Sequence, residues 1–247
     1  MKPRTVVVIG GSGFVGRHVI AQLVAQGVRV RVPTRRAERA RHLLLLPTVE
    51  VIEADVMAEE VLVRLLRGCD AVVNLVGVLH SPAARTGGPT YGAAFAAAHV
   101  TLPERIRAAC HQAGVQRVLH MSALGADPIG PSMYQRSKGD GELAVKASNL
   151  DWTIFRPSVI FGAQDQFINL FAKLTQLFPL MPLANYGAKF QPVNVDDVAS
   201  AFVKALDMPQ TIHQSYDLVG PKVYTMQEIV GLAKRKAKTS CWIIPVP

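Results

Sequence analysis

The chain has 247 residues, of which 49% are hydrophobic and 18% are charged, and its formal net charge at pH 7 is +9. The length suffices for one large domain or for a domain with a smaller lobe, and the composition excludes a disordered chain. The sequence has no apolar run near the roughly 20 residues of a membrane-spanning helix. Its basic residues are spread out and aromatic residues are only 6%, so we expect no nucleic-acid partner.

Cysteine and histidine spacing predicts a reducing compartment and no metal site. The cysteines, Cys69, Cys110 and Cys241, lie far apart and match neither a metal-binding nor a CxxC spacing. The seven histidines form no ligand pair. The first four residues lead directly into a strand-like run, without the pattern of a signal peptide. We therefore expect a cytoplasmic protein with no transmembrane segment and no bound metal.

Strand-like and helical segments alternate through the first 160 residues. The strand-like runs are Thr5–Ile9, Val28–Val32, Val49–Glu53, Ala71–Val76, Arg117–Met121 and Trp152–Phe155. The helical patterns between them are Val15–Gln26, Val61–Leu66, Pro103–Ala113 and Met133–Ala147. Near-continuous aliphatic strands separated by helices are typical of a parallel sheet that is covered on both faces. The pattern predicts an α/β fold with a doubly wound parallel sheet, the Rossmann arrangement, in a domain of residues 1–160.

The pattern changes after residue 160, and we predict that residues 161–247 form a smaller, interleaved lobe for a substrate or partner. Phe167–Phe178 has the spacing of an apolar helix, which predicts lobe packing or, alternatively, a hydrophobic pocket or membrane-facing patch. Pro179–Gly187 is typical of a loop, and Thr225–Glu228 has the capping-box sequence of a last helix. Because the sequence stops on an apolar run, we expect the native gene product to continue beyond Pro247.

A glycine-rich turn follows the first strand and opens the first helix. It consists of Gly10, Gly11, Ser12, Gly13, Phe14, Val15 and Gly16. Both GxGxxG and GxxGxxG spacings fit this turn. Glycine permits a tight turn and close approach of a pyrophosphate, and a helix N-terminus offers free N–H groups to the anion. The turn therefore predicts a site for the diphosphate of a nicotinamide dinucleotide; the alternative is an ordinary glycine-rich turn.

The end of the second strand favours NADP(H) over NAD(H). In NAD sites this strand ends in Asp or Glu, which binds the ribose 2′-hydroxyl. Here it ends in Thr34, Arg35 and Arg36, and Arg17 follows the last glycine of the turn. Guanidinium groups suit a 2′-phosphate because they bind it through two hydrogen bonds. The alternative interpretation is a solvated basic edge.

Two further strand ends are candidates for the adenosine half of the dinucleotide. Asp55 and Val56 follow the third strand and would meet the adenine edge. Leu75, Val76 and Gly77 close the fourth, where the glycine allows close approach. Each could equally be a strand-end turn.

Tyr134 and Lys138 form a YxxxK pair in a helical segment. The i,i+4 spacing places both side chains on one helix face. A nearby ammonium favours the phenolate, so we expect the lysine to lower the tyrosine pKa and make it a usable acid or base. The lysine is also a candidate for binding the nicotinamide ribose.

Four stretches together resemble the extended and atypical short-chain dehydrogenase/reductase superfamily. They are Gly10–Gly16, the Tyr134/Lys138 pair, Arg156–Gly162 and Pro192–Ala199. Two others, His120–Leu124 with Ser132–Glu142 and Phe161–Ala172, resemble the NADPH-binding accessory subunit of respiratory complex I and its bacterial relatives. The resemblance implies an NADP(H) site that also includes Met121, Ser122, Pro157 and Val159. It implies Ser122, Tyr134 and Lys138 as catalytic residues.

One residue departs from the pattern of the catalytic members. Their fifth strand ends in Ser followed by a second Ser or Thr that polarises the substrate, whereas here Ala123 follows Ser122. Ser122 could replace the missing hydroxyl if the loop is shifted, and Ser132 is a second candidate. We interpret Arg156–Pro157 as a structural strand end and Asp196–Asp197 as a helix cap.

Three functions follow from these features. The first is an NADP(H)-dependent oxidoreductase acting on a hydrophobic, quinone-like small molecule. The second is a nucleotide-sugar epimerase or dehydratase. Residues 167–187 contain a single cation, Lys173, and this scarcity argues against the second function. The third is a non-catalytic NADP(H)-binding subunit or assembly factor on a membrane complex, peripheral to the inner membrane. Ala123 and the complex I resemblance favour the third.

Overall fold

The structure, a computed structural model, describes residues 4–82, 90–165 and 167–246. Its strands are β1 Thr5–Ile9, β2 Arg29–Thr34, β3 Val49–Glu53, β4 Ala71–Asn74, β5 Arg117–Met121, β6 Asp151–Pro157, β7 Ile160–Phe161, β8 Leu180–Ala184, β9 Lys189–Phe190, β10 Val193–Asn194, β11 Gln214–Leu218, β12 Tyr224–Thr225 and β13 Trp242–Val246. Its helices are α1 Phe14–Ala25, α2 Glu59–Leu66, α3 Ala93–Phe95, α4 Leu102–Ala113, α5 Met133–Lys146, α6 Ile168–Leu177, α7 Val195–Ala205 and α8 Met226–Ala237. Short 3-10 helices span Ala37–Leu43 and Pro209–Thr211, and a π-helical turn, Ala96–Thr101, joins α3 to α4.

Seven strands form the central sheet, in the order β11-β6-β5-β4-β1-β2-β3. Adjacent strands from β6 to β3 pair in parallel. The helices of the β–α units flank this sheet, so the predicted α/β, Rossmann-like fold is confirmed. The six strands predicted for it are present: three have the predicted ends, and the ends of the other three differ by at most two residues. The fourth ends early, at Asn74, because the side chain of Asn74 accepts the amide of Val76 at 3.1 Å and closes a turn.

Aliphatic side chains of the inner strands form the core. Val6, Val7 and Val8 of β1 are completely buried, as expected for a strand covered on both faces. On one side of the sheet, Leu62 and Leu66 of α2 lie in a single buried cluster with Ile106 of α4. The burial of each such side chain contributes about 1.5–3 kcal/mol to stability. This packing fixes the strand ends that carry the predicted site.

The chain forms two compact units rather than two consecutive segments. The first contains Met1–Arg156 and Ala199–Asp217, and the second contains Pro157–Val198 and Leu218–Pro247. Residues 199–217, which the sequence-based boundary assigns to the second lobe, belong to the first unit because they include most of α7 and of the edge strand β11.

In the second unit, β8 and β13 pair in parallel, with Trp242 opposite Leu180. Met181, Leu183, Val230 and Cys241 form a buried cluster against residues of α6 and α8. The prediction of a loop over Pro179–Gly187 is therefore wrong for β8. The strand depends on a partner about sixty residues later, which the local composition does not reveal.

The N-terminus of α8 is capped as predicted, whereas the N-terminus of α7 differs from the prediction. Thr225 caps α8 in a capping box with Glu228, as predicted. Asp196 and Asp197 lie inside the first turn of α7, where carboxylates favour the helix dipole. The preceding side chain, Asn194, accepts the Asp196 amide at 2.8 Å, so the prediction that the two aspartates cap the helix is corrected. Among the described residues, no helix is both long and apolar enough to span a bilayer.

Candidate functional site

The glycine turn after β1 is tightly folded. Gly10 has φ +83°, a left-handed conformation that favours glycine, and its carbonyl accepts the amide of Gly13 at 3.0 Å. A Cβ atom on Gly16 would collide with the carbonyl oxygens of Gly10 and Gly11. Helix α1 therefore packs against the turn with no room for a side chain at Gly16.

The N-terminus of α1 is open to an anion. Gly13 is the N-cap residue and, within the described part of the chain, no side chain caps the helix and no acidic residue lies in its first turn. In the turn, Ser12 is half-buried and Gly13 is exposed. In the first turn of the helix, the ring of Phe14 lies edge-on to His18, and Val15 is buried in the core. The arrangement fits a diphosphate, since the amides and dipole of the helix favour negative charge and no carboxylate opposes it.

Cationic side chains lie near the end of β2. The hydroxyl of Thr34 contacts the amide of Arg36 at 3.3 Å, and this turn leaves Arg35 and Arg36 exposed. The Nε atom of Arg17 is buried and has no hydrogen-bond partner among the described residues. Burial and the charge of Arg17 lower the pKa of His42, which places Arg17 near the 3-10 helix that follows β2. These groups could hold a phosphate.

The predicted adenosine residues divide into two groups. The carboxylate of Asp55 accepts the amide of Met57 at 3.0 Å, so it closes a turn, and Val56 packs against the core. Residues 75–77, in contrast, adjoin the glycine turn: a Cβ atom on Gly10 would lie 3.1 Å from the carbonyl carbon of Leu75. The structure thus brings the loop after β4 against the glycine turn.

Lys138 lies on the other side of the same loop. A Cβ atom on Gly77 would lie 3.3 Å from Lys138 Nζ, which donates to the carbonyl of Met121 at 3.1 Å. The side chain is 2% exposed, and burial lowers its pKa to about 8 although the charge of Glu142 opposes this change. Lys138 is therefore close to both the loop after β4 and the end of β5.

Tyr134 is half-buried, with its ring edge-on to Phe95 and His99. Burial raises the pKa of its hydroxyl. The expectation that Lys138 lowers this pKa is therefore corrected: loss of solvent disfavours the phenolate, and the ammonium is held at the Met121 carbonyl. Tyr134 is a protonated group at neutral pH and can act as a proton donor.

Glu142 anchors this helix to the end of β6. Its carboxylate is buried and accepts two hydrogen bonds from Arg156, at 2.7 and 2.6 Å, and one from Lys146 at 3.0 Å. Burial alone would raise its pKa, but the hydrogen bonds from Arg156 and Lys146, with the charge of Arg156, outweigh burial and lower it. Sequence reasoning missed Glu142, although its i,i+4 spacing from Lys138 and to Lys146 is a visible signal.

Two buried histidines complete the site. His99 contacts Val78 and Ser137, and His120 contacts Asn74 at 3.2 Å. Burial, with a smaller contribution from Lys138, lowers the pKa of each to about 3, so both are neutral. No spacing pattern marks these residues, because their partners lie in other elements.

The two serine candidates differ in their surroundings. The amide of Ser122 donates to the Phe155 carbonyl at 2.7 Å, and its hydroxyl is buried without a hydrogen-bond partner among the described residues. Ala123 is buried. Ser132 is the N-cap of α5 and forms a capping box with Gln135, so its interpretation as the substrate hydroxyl is replaced by a structural role.

Pro157 and Val159 belong to the second unit. Pro157 is the last residue of β6, and the carbonyl of Val159 accepts the Val193 amide at 3.0 Å beside the β7–β10 pair. Their role in cofactor binding stays a prediction.

Comparison with known proteins places this geometry in a family. The sequence model of the NAD(P)H-binding family matches residues 10–209. The chain is 31% identical over 235 residues to the NADH-ubiquinone oxidoreductase 40 kDa subunit, mitochondrial, of Neurospora crassa, covering 94% of this chain and 60% of that protein. It is 33% identical to the NADH dehydrogenase [ubiquinone] 1 alpha subcomplex subunit 9, mitochondrial, of Arabidopsis thaliana, covering 91% of this chain and 56% of that protein. The ceramide reductase of Caulobacter vibrioides is 30% identical over 203 residues, covering 80% of this chain and 59% of that protein.

Solved structures agree on the fold. A dTDP-glucose 4,6-dehydratase of Streptomyces venezuelae, solved with NAD and TYD bound, superimposes with a TM-score of 0.83 at 23% identity, covering 98% of this chain and 84% of that chain. The chain spans about 60% of the length of the curated relatives described above. With the parallel sheet and the match over residues 10–209, these similarities show that the chain belongs to the NAD(P)H-binding family.

Proposed function

We propose that the chain binds NADP(H) and acts as an accessory NADP(H)-binding subunit of a respiratory NADH dehydrogenase. The observation that carries this proposal is the continuity of the site. The glycine turn contacts the loop after β4, and that loop contacts Lys138. A dinucleotide needs such a continuous surface, with an anion site at one end and a ribose-binding group at the other.

The residues present fit the dinucleotide. The open N-terminus of α1 would hold the diphosphate, Gly77 would allow close approach, and Lys138 would hold the nicotinamide ribose. Asp55, Val56, Leu75 and Val76 are candidates for the adenosine half, and Met121, Pro157 and Val159 for the nicotinamide half. When bound, the nicotinamide supplies a hydride donor or acceptor.

The preference for NADP(H) is supported by the arginines near β2. Arg35 and Arg36 are exposed, and the Nε atom of Arg17 has no partner within the described residues. Isothermal titration of the protein with NADPH and NADH tests the preference. We expect NADPH to bind at least about tenfold more tightly, since a 2′-phosphate bound by an arginine adds charge-assisted hydrogen bonds.

Variants then locate the phosphate site. We expect Arg36→Ala to reduce NADPH affinity with little change for NADH, whereas Arg64→Ala, which removes a cation from the exposed face of α2, changes neither. Equal affinities of the unmodified protein for the two nucleotides would contradict the arginine argument.

An accessory role is supported by the residue that follows Ser122. Ala123 lacks the second hydroxyl that would polarise a substrate. Relatives named as NADH dehydrogenase subunits cover more than nine-tenths of this chain. The partner is then a membrane-bound respiratory complex, and the protein lies peripherally at the cytoplasmic side of the inner membrane.

Co-purification tests this partner: the tagged protein, expressed in its own cells, should elute with NADH dehydrogenase activity after mild detergent extraction. Tight NADPH binding without turnover of quinone-like acceptors would support the accessory role. Elution as a free protein without that activity would contradict the partner.

A second candidate, reduction of a hydrophobic carbonyl, is supported by Tyr134. A protonated tyrosine hydroxyl could donate a proton to the oxygen of a bound carbonyl, while a bound nicotinamide would supply the hydride that makes the product an alcohol. One relative is named a ceramide reductase. Turnover of quinone-like or long-chain ketone acceptors that is lost in Tyr134→Phe would favour this enzyme, and binding of a UDP-sugar would favour an epimerase or dehydratase.

A further inference from the structure

His99 lies in an irregular turn between helices α3 and α4. It belongs to the π-helical turn Ala96–Thr101 and is 1% exposed. Such widened turns often occur at functional sites. Helix α5 comes close at this point, because a Cβ atom on Gly141 would collide with the carbonyl oxygen of His99. The widened turn thus directs an imidazole between the loop after β4 and helix α5.

The hydrogen bonds of His99 fix one tautomer. The amide of Val78 lies 3.1 Å from Nε2, and because a backbone N–H can only donate, Nε2 is the acceptor. In a neutral imidazole the proton is then on Nδ1, which lies 2.8 Å from the Ser137 hydroxyl. That hydroxyl donates in turn to the carbonyl of Tyr134 at 2.9 Å. The chain of bonds is fully directional: Val78 to His99, His99 to Ser137, and Ser137 to Tyr134.

The two ends of this chain adjoin Gly77, proposed to allow close approach of the dinucleotide, and Lys138, proposed to hold the nicotinamide ribose. Val78 follows Gly77 in the loop after β4, and Ser137 precedes Lys138 in α5. These two groups are near each other, as the 3.3 Å distance from a Cβ on Gly77 to Lys138 Nζ shows. The imidazole therefore sets the separation between the loop and the lysine.

We infer that His99 is a positioning residue, which holds Gly77 and Val78 against the Tyr134–Lys138 turn so that Lys138 binds the nicotinamide ribose. Leu75 and Val76, the candidates for the adenosine half, are held separately by the Ile9 carbonyl and the Asn74 side chain. This inference rests on the proposed NADP(H) function and adds a role for a residue that does not itself need to touch the cofactor. It implies that loss of His99 weakens binding of the nicotinamide half and spares the adenosine half.

Two ligands separate this role from a merely structural one. NADPH contains both halves, whereas adenosine 2′,5′-bisphosphate lacks the nicotinamide ribose. We expect His99→Phe, which keeps an aromatic ring but loses both hydrogen bonds, to weaken NADPH binding about tenfold in isothermal titration. We expect adenosine 2′,5′-bisphosphate to bind within about twofold of its original affinity.

Three further variants test the direction of the bonds. His99→Gln, whose amide oxygen can accept the Val78 amide, should recover part of the loss. Ser137→Ala should weaken NADPH binding in the same direction, and the His99→Phe/Ser137→Ala double variant should bind no more weakly than His99→Phe alone, because both act through one chain of bonds. His111→Gln, in the last turn of α4 and exposed, is the matched control and should bind as the unmodified protein does.

Several outcomes would overturn the inference. Equal weakening of both ligands would show a general structural role, and unchanged NADPH binding in a folded His99→Phe or in Ser137→Ala would exclude the positioning role while leaving the proposed function intact. Should His99→Phe fail to fold, Ser137→Ala and His99→Gln decide by the same two ligands. If the unmodified protein binds neither ligand, the proposed function fails and this inference falls with it.

Discussion

Gly16 occupies the point where helix α1 passes closest to the glycine turn. A Cβ atom there would collide with backbone oxygens of Gly10 and Gly11, which cannot rotate away as a flexible side chain could. We expect Gly16→Ala to lower the free energy of unfolding by about 1–3 kcal/mol and to remove detectable NADPH binding. Thermal unfolding and nucleotide titration measure the two effects.

The control for this substitution is Gly187→Ala, because a Cβ atom on Gly187 meets no atom within 4 Å. This variant should keep both stability and nucleotide binding. A Gly16→Ala protein that binds NADPH as tightly as Gly187→Ala would show that the close contact is irrelevant to the ligand.

Glu142 couples stability to acid pH. Its pKa is lowered in the folded protein, so the stabilisation is present above the ordinary value of 4.5 and is lost as the pH falls through the folded-state pKa. Removing the carboxylate leaves the guanidinium of Arg156 without its buried partner. We expect Glu142→Gln to lower the free energy of unfolding by about 3 kcal/mol at pH 7. This value is at the lower end of the range for buried pairs, because Arg156 and Lys146 are partly exposed.

Urea unfolding at a series of pH values tests this expectation. Below about pH 4.5 the free energy of unfolding of the unmodified protein should decline as Glu142 is protonated. Glu142→Gln should lack this part of the decline. Lys146→Ala removes only the most exposed partner and should cost less than about 1 kcal/mol. A Glu142→Gln profile parallel to that of the unmodified protein would argue against the ion pairs as the source of the decline.

His120 makes stability depend on pH over a higher range than Glu142 does. Burial, with the charge of Lys138, lowers its pKa from 6.5 to about 3, and the same causes act on His99. Between these values the unfolded chain binds more protons than the folded protein does, so stability rises with pH. We expect a rise of up to about 1.4 kcal/mol per pH unit for each histidine between about pH 4 and 6.5. His120→Gln should reduce this slope in urea unfolding; an unaltered slope would mean that His120 does not contribute.

At the scale of single elements, the start of helix α8 is a test of capping. The Thr225 hydroxyl accepts the Glu228 amide at 3.2 Å. We expect Thr225→Ala to lower the free energy of unfolding by about 1 kcal/mol, because one helix amide then loses its partner. Ser240→Ala, an exposed hydroxyl beyond the end of the same helix, should change stability by much less. Equal effects in urea unfolding would show that the cap contributes nothing specific.

Elements defined by their own residues could be predicted, and elements defined by a distant partner could not. The aliphatic run Thr5–Ile9 and the capping box at Thr225 contain their own signals, and both are present as predicted. Strand β8 exists through its pairing with β13, and the proline inside it, Pro182, hides it in the sequence. The sequence therefore predicts the central sheet well and the second unit poorly.

The same division applies within the candidate site. The glycine turn and the Tyr134–Lys138 pair are patterns of adjacent or i,i+4 residues, so they could be recognised. His99 and His120 owe their roles to burial and to partners in other elements, which no spacing records. The tyrosine pKa was mispredicted for a related reason: the burial of the ring depends on Phe95 and His99, which lie about forty residues earlier in the chain.

At the scale of the whole molecule, the net charge of +9 should influence ligand capture. A basic protein attracts an anionic dinucleotide, and salt screens this attraction as the Debye length falls from about 10 Å at 0.1 M to about 3 Å at 1 M. We expect the dissociation constant for NADPH to rise several-fold over this range. The rise for NADH should be smaller, because NADH lacks the 2′-phosphate.

Titration of both nucleotides at the two salt concentrations measures this effect. Arg36→Ala should show a shallower dependence for NADPH than Arg64→Ala does. Affinities that do not change with salt would mean that charge contributes little to binding.

The alternation of the chain between its two compact units also matters during synthesis. The chain passes from one unit to the other three times, at residues 156/157, 198/199 and 217/218. Because β11 is the last strand of the large sheet to be translated, a ribosome has already made residues 157–198 of the small unit before that sheet can close at its edge. Neither unit can thus be obtained by cutting the gene at one codon; an independently expressed large unit would need residue 156 joined to residue 199 by a designed linker.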